Sequence, residues 1–388
     1  MSSALNSNEK SNALELMTII NKFFSVIESF RNNTFTEYVV ISSKEDMEKS
    51  FSKLYDELVV MNYYPILYNT GDVTVLRVIN GGKARLNVYR LSSILFGLTL
   101  ISVLITGYFI SLNFCNNLSL LGSRVAQSRI IYEMSLFALS VLIPLIMHEV
   151  GHLLIVKESN IPASYPIFIP APIISPLGTF GAIVRMEFLP KNLTALLRLG
   201  ISGPLMGFIT SLIIFSISYS LSPRIPIEVA QAALSEGLLG YIEIVPVSVY
   251  LIMNLIEMLS DGRFVTVLNP AAYASLIMIL IHFINLLPIG QLDGGHVIRG
   301  VTSVKTHSMI SLVTVLIMVI FSLMSTLFLN GALVWLGVFS ILALFLSGFK
   351  PHIGVANMLE TSAPISIKTR ILIIYFLILT LSTPLPPI

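Results

Sequence analysis

Long apolar runs separated by short polar stretches fill the chain from Leu91 to its end. A helix needs about 20 consecutive apolar residues to cross the hydrocarbon of a bilayer. The chain is 55% hydrophobic and only 11% charged, whereas soluble domains carry about a quarter charged residues. This composition excludes an ordinary soluble enzyme, a nucleic-acid-binding protein and a disordered chain. We therefore predict an all-α polytopic membrane protein with six spans, near 91–113, 132–156, 195–220, 268–289, 307–328 and 331–348, and a seventh, shorter and proline-terminated, at 371–386.

Residues 1–90 differ from the rest of the chain, because they hold 20 of its 44 charged side chains. They predict a small soluble α+β domain, followed by a transmembrane domain at 91–388 with its core at about 91–348. Within the soluble domain we predict helices at 14–30 and 43–63, a strand at 36–42, and a hairpin with strands at 65–68 and 73–79. The start of the chain is polar and has no apolar signal segment, which favours a prokaryotic plasma membrane.

Lysine and arginine indicate the orientation of the membrane domain, because they are enriched in cytoplasmic loops. With a cytoplasmic N-terminus, nine basic residues after the first span lie inside and four lie outside. This topology brings the C-terminal ends of spans 2 and 4 to the cytoplasmic side. We therefore expect an integral membrane protein with a cytoplasmic N-terminal domain.

The second span ends in the sequence His-Glu-Val-Gly-His at residues 148–152. On a helix, His148 and His152 lie one turn apart on the same face, which lets two imidazoles bind one Zn²⁺ while Glu149 acts on a water as a base. Ionisable residues within an apolar span are costly and mark functional sites. This pattern predicts a catalytic zinc site inside the membrane domain.

A catalytic zinc usually has three protein ligands, so a third ligand must come from elsewhere in the chain. The stretch after span 4 contains Pro288 and three glycines, and a broken helix at membrane depth is tolerated where it lines a cavity. Asp293 lies in this broken stretch and is the favoured candidate. The remaining histidines are weaker candidates: we expect His282 and His296 to be structural and hydrogen-bonded, and His307 and His352 to be exposed near helix ends.

Two motifs, HEVGH in span 2 and NLLPIGQLDGG after span 4, resemble the site-2 protease family of intramembrane zinc metalloproteases. The resemblance covers roughly residues 91–370 and includes the small-residue sequence GISGPLMG at 200–207. It implies that His148, His152 and Asp293 bind one Zn²⁺ per chain and that Glu149 is the general base. It also implies hydrolysis of a peptide bond within or near a transmembrane segment of a membrane-protein substrate, as in regulated intramembrane proteolysis.

The proline-rich segment at 170–182 is similar to the segment that enters the membrane between spans 2 and 3 in that family. Strand-forming residues on both sides of it predict a re-entrant β-hairpin or loop. We interpret Gly178 and Gly181 as substrate-binding positions, where an unwound substrate pairs by strand addition. Asn285 either holds the substrate backbone or oxyanion, or bonds to backbone groups freed by Pro288.

Two other classes of membrane protein fit the sequence less well. A prenyl-protein type of zinc protease also uses His-Glu-x-x-His, but it takes a downstream glutamate as its third ligand, and no suitable glutamate follows span 2. A metal-binding transporter or channel-like protein often shows internal repeats, and neither motif has a second copy. The expected partners are the lipid bilayer and a membrane-protein substrate with a helix-weakened segment, without nucleic acid. Three roles remain open for the N-terminal domain: it is a regulatory module that binds a partner, a cap over the site, or a folded appendage.

Overall fold

The structure is a computed structural model that describes residues 7–32, 34–42, 47–81, 88–122, 126–184, 186–242, 244–258, 262–328, 331, 333–346, 352, 354–360 and 362–385. Its helices and strands alternate in the N-terminal part, and helices dominate after residue 88. In chain order the elements are α1 (Ser7–Asn21), β1 (Phe24–Arg31), β2 (Phe35–Ser42), α2 (Met47–Val60), β3 (Tyr63–Thr70), β4 (Val73–Asn80), α3 (Val88–Leu120), α4 (Ser128–Glu158), β5 (Ile167–Pro170), β6 (Thr179–Ile183), α5 (Leu193–Ser220), β7 (Arg224–Pro226), α6 (Ile227–Ser235), β8 (Val245–Pro246), α7 (Val247–Glu257), β9 (Phe264–Thr266), α8 (Pro270–Asn285), α9 (Asp293–Arg299), α10 (Val304–Phe328), α11 (Val334–Leu346), α12 (Ile365–Ser382) and β10 (Pro384–Leu385).

The N-terminal domain is a four-stranded antiparallel sheet in the order β1-β2-β4-β3, packed with α1 and α2. Phe51, Leu54 and Leu58 of α2 are buried against the sheet. The predicted strand at 36–42 and the hairpin are confirmed. The helix predicted at 43–63 is present as Met47–Val60, and residues 43–46 lie outside the described residues. The predicted helix at 14–30 is wrong in its second half, because Phe24–Arg31 forms β1 and pairs with β2.

Within the described residues, five helices are long and apolar enough to cross a membrane: α3, α4, α5, α10 and α12. The protein is therefore an integral membrane protein. The loosely defined seventh run forms α12, an apolar helix of 18 residues. Two other predicted spans form shorter helices, α8 with 16 residues and α11 with 13, so a count of six or seven spans remains a prediction.

Helix α4 lies at the centre of the membrane domain and packs against α3, α5 and α8. Strands β5 and β6 form an antiparallel hairpin between α4 and α5. The hairpin lies against α3, where the Ser102 hydroxyl donates a hydrogen bond of 2.5 Å to the Gly178 carbonyl. The predicted hairpin is thus present as a structure, while its entry into the membrane remains a prediction.

The N-terminal domain is docked on the membrane domain through a segment that we call the strap (His352 and residues 354–360). The amide of Leu67 in β3 donates to the carbonyl of Ala356, and the amide of Met358 donates to the carbonyl of Leu67, both at 2.9 Å. Ala356 is buried in the core of the N-terminal domain. The Lys191 ammonium also contacts the Asp56 carboxylate at 2.9 Å. The strap therefore covers the edge of the sheet at β3 and joins the two domains.

Candidate active site

The His-Glu-x-x-His residues lie on α4, ten to six residues before its C-terminal Glu158. His148, Glu149 and His152 are each at least 91% buried. The two imidazole rings lie on one face of the helix, with 3.1 Å between their Nε2 atoms. The predicted helical placement of the motif is confirmed, and its buried polar groups face one another across one turn.

Asp293 reaches the same point from a different element. Helix α8 ends at Asn285, the backbone then turns irregularly, and α9 begins at Asp293. The Asp293 carboxylate places Oδ2 at 3.4 Å from Nε2 of His148 and Oδ1 at 3.4 Å from Nε2 of His152. The structure therefore brings the three predicted ligands together within one small volume.

The spacing of these atoms fits a tetrahedral metal site. Ligands bound at 2.0–2.1 Å around tetrahedral zinc lie about 3.3 Å apart. The closest approaches among the three side chains are 3.1, 3.4 and 3.4 Å, and the two to Asp293 involve its two different carboxylate oxygens. Among the described residues, these three form the one His, Cys, Asp and Glu group compact enough to hold a metal ion. Two nitrogens and a carboxylate suit Zn²⁺, and their convergence leaves a fourth coordination position for water or substrate.

The orientation of His152 is set by the backbone of α5. Its Nδ1 lies 3.1 Å from the carbonyl oxygen of Leu199, which can only accept a hydrogen bond. The proton of neutral His152 is therefore on Nδ1, and the lone pair of Nε2 is directed at the metal position. A backbone carbonyl in this role is common among metal-binding histidines.

Glycines on α5 leave the space that the metal ligands occupy. A Cβ atom on Gly203 would lie 2.2 Å from Nε2 of His152, and one on Gly200 would lie 2.6 Å from the Asp293 carbonyl oxygen. On the facing helix, a Cβ atom on Gly151 would lie 2.4 Å from the Ser202 carbonyl oxygen. The small-residue face of α5 thus allows α4 and α9 to approach its backbone directly.

Glu149 is placed beside the ligands but is not one of them. Its side chain is buried, and Oε2 has no hydrogen-bond partner among the residues that the structure describes. An unpartnered buried carboxylate oxygen is costly unless it serves a ligand or a reaction. Glu149 follows His148 directly in α4, and its buried Oε2 is left free to accept a hydrogen bond.

Two of the three predicted substrate-binding residues, Gly178 and Gly181, lie at the β5–β6 hairpin rather than among the candidate ligands. Gly178 has φ of 76° and packs on α3, where an added Cβ would lie 2.8 Å from the Val103 Cα. Gly181 has φ of 98° in β6, and a Cβ there would meet open space. Asn285 ends α8, and no side-chain hydrogen bond to it occurs within the described part of the chain.

Two expectations about the other histidines were wrong. His307 and His352 were expected to be exposed, but they are 1% and 6% exposed. His282 was expected to be structural, and its buried ring lies beside Gly207 of α5. Its ring lies parallel to that of His148, with 5.3 Å between ring centroids. Long-range packing causes these differences, and no local sequence signal shows it.

Comparison with known proteins agrees with this geometry. The model of peptidase family M50 matches residues 136–329, which is half of the chain and contains all three candidate ligands and Glu149. The chain belongs to peptidase family M50. The resemblance of its two motifs to site-2 proteases is thereby confirmed at the level of the family.

Several relatives of this M50 chain are named as probable zinc metalloproteases. It is 30% identical over 164 residues to the probable zinc metalloprotease EGY2, chloroplastic, of Arabidopsis thaliana, over 41% of this chain and 27% of that protein. It is 28% identical over 169 residues to the probable zinc metalloprotease EGY1, chloroplastic, of Oryza sativa subsp. japonica, over 40% and 26%. The matched segments thus span less than a third of these relatives. No solved structure matches the chain.

Proposed function

We propose that this M50 protein is an intramembrane zinc metalloprotease that hydrolyses a peptide bond within or near a transmembrane segment of a membrane-protein substrate. The observation that carries the proposal is the tetrahedral spacing of His148, His152 and Asp293, with an unpartnered oxygen of Glu149 beside them. A transporter requires none of this hydrolytic arrangement, and the family and its named relatives favour the protease.

Each residue has a distinct role in this proposal. His148, His152 and Asp293 would hold the zinc, and the Leu199 carbonyl keeps His152 in the required tautomer. When bound, zinc supplies a Lewis acid that acidifies water and polarises a carbonyl group. Glu149 accepts the proton of the attacking water at Oε2 and transfers it to the leaving amine.

The substrate would reach this site in an extended form. A helical segment hides its carbonyl groups in hydrogen bonds to the residue four positions later, so it must unwind before it is attacked. The hairpin of β5 and β6 offers an edge for strand addition, and the open space at Gly181 admits a second backbone. We assign Gly178 to shaping the hairpin turn and Asn285 to holding substrate backbone near Asp293.

The orientation of the protein follows the distribution of basic residues. We place the N-terminal domain in the cytoplasm, and a prokaryotic plasma membrane remains the predicted location. The docked domain lies at the end of α4 that carries the metal ligands, since Asn160 donates a hydrogen bond of 2.9 Å to Asp56. This location suits a regulatory partner that binds the N-terminal domain.

The decisive experiment compares the wild type with Glu149→Gln in detergent, using a membrane-spanning test substrate and matched zinc content. The amide keeps the shape of the side chain but cannot accept the proton, so cleavage should fall by a factor of about 10² or more. A zinc chelator should abolish the wild-type activity, and added zinc should restore it. Equal cleavage by the two proteins would refute the assignment of Glu149.

A further inference from the structure

A second group of buried histidines connects the strap to the helix that begins with Asp293. His352 in the strap lies with Nε2 at 2.6 Å from Nδ1 of His296 in α9. The amide of Gly354 donates to Nδ1 of His352 at 3.0 Å, so that nitrogen carries no proton. Neutral His352 is then protonated on Nε2, and this N–H donates to His296.

The helix that His352 contacts has little rigidity of its own. α9 contains only seven residues, and its first residue is Asp293. On one side it packs against α5. There Gly200, which has no side chain, leaves space for the backbone of Asp293 and the Cβ of His296. On the strap side, Arg299 adds a second bond, from Nε to the His352 carbonyl oxygen at 3.2 Å. The strap therefore holds α9 through two side chains, one turn and two turns after Asp293.

A bound metal is a weaker explanation of this histidine pair than a hydrogen bond. The distance of 2.6 Å between the two nitrogens is well below the separation of about 3.3 Å between ligands of tetrahedral zinc. His307 lies farther away, with 5.7 Å between its ring centroid and that of His352. The pair thus acts as a link between segments.

We propose that His352 is a positioning residue for the metal ligand Asp293, acting through His296. The proposal rests on the metal site in the proposed function. Metal–ligand bonds tolerate deviations of about 0.2 Å, so a short helix that carries a ligand must be held from both sides. The strap also pairs with β3, which makes the geometry of Asp293 depend on a segment that the N-terminal domain holds.

The test measures zinc release in three variants of the 388-residue chain in detergent. His352→Asn keeps an acceptor for the Gly354 amide but cannot reach His296, whereas His352→Gln places an amide N–H near the position of Nε2. Glu360→Ala is the matched control, because Glu360 anchors the same strap to the Leu193 amide and does not contact α9. Zinc transfer to a colorimetric chelator is followed with time, and Co²⁺-substituted samples are compared by visible absorption.

We expect His352→Asn to release zinc about tenfold faster than the wild type, with an altered Co²⁺ spectrum and an unchanged unfolding temperature. His352→Gln should be close to the wild type, and Glu360→Ala should match it. Wild-type release by His352→Asn, or equally fast release by Glu360→Ala, would overturn the proposal. A second zinc per chain that is lost with His352 would also overturn it, since the histidines would then be ligands. A wild type without zinc would instead refute the proposed function.

Discussion

Replacing Gly203 by alanine tests whether the glycine face of α5 creates the metal site. The added Cβ would lie 2.2 Å from Nε2 of His152 and 2.6 Å from two ring carbons. Ordinary contact begins at 3.4 Å, so Nε2 must move by about 1.2 Å or the two helices must separate. A zinc–nitrogen bond of about 2.0–2.1 Å tolerates about 0.2 Å, and His152 would therefore no longer bind.

The expected result is a folded protein that has lost its metal. Overpacking of this kind costs about 1–3 kcal/mol of stability, which the extensive contacts between α4 and α5 can absorb. Loss of one of three protein ligands should weaken zinc binding by a factor of about 100 or more, since even changes beyond the ligands cost 10–100-fold. Zinc per chain, measured by mass spectrometry on detergent-purified protein, should fall from one to near zero.

Gly97→Ala is the matched control for this experiment. Gly97 also lies in an apolar helix, α3, but a Cβ there meets nothing within 4 Å. Alanine is favoured over glycine in helices by about 1 kcal/mol, so the control should bind one zinc and be at least as stable as the wild type. Wild-type zinc affinity in Gly203→Ala would refute the argument that His152 fills the space above this glycine.

Two further predictions concern the strap and the substrate. Burial raises the pKa of Glu360 from 4.5 to about 7, so the folded state holds a proton that the unfolded state releases, and stability falls as pH rises from about 4.5 to about 7. Thermal unfolding should therefore show Glu360→Gln to be more stable than the wild type at pH 8 but not at pH 4, and an equal difference at both pH values would contradict this. Substrates whose spans contain Gly, Pro or Asn near the cut should be cleaved more slowly when those residues are replaced by Leu, because the helix then unwinds less readily; gel-based cleavage rates test this, and unchanged rates would argue against unwinding as a requirement.

The residues of the candidate metal site could be identified from the sequence because their signals are local. Helical spacing alone places His148 and His152 on one face, and the glycine-rich break before Asp293 marks a non-helical stretch inside an apolar region. The predicted topology places these two segments together, because each one lies at the end of a span that returns to the same side of the membrane. The distance between Asp293 and the two imidazoles could not be predicted from the sequence, because it depends on how α9 packs on α5.

The sequence predictions that were wrong have a common physical cause, which is the pairing of segments that are far apart in the chain. Phe24–Arg31 has helix-like spacing of apolar residues, but it becomes a strand because β2 offers a partner edge. His352 was expected to be in water, but the strap folds back between β3 and α9 and buries it. Local periodicity does not report such contacts, since the free energy that decides them comes from groups far away in the chain.

The N-terminal domain contacts the membrane domain only a short distance from the candidate metal ligands. Asn160 contacts Asp56 of the N-terminal domain and lies eight residues after His152 along the end of α4. At a rise of 1.5 Å per residue, that separation is about 12 Å. A second connection runs from β3 through the strap to His296, three residues after Asp293. Two of the three candidate ligands are therefore connected to one docked domain by short, hydrogen-bonded segments of the chain.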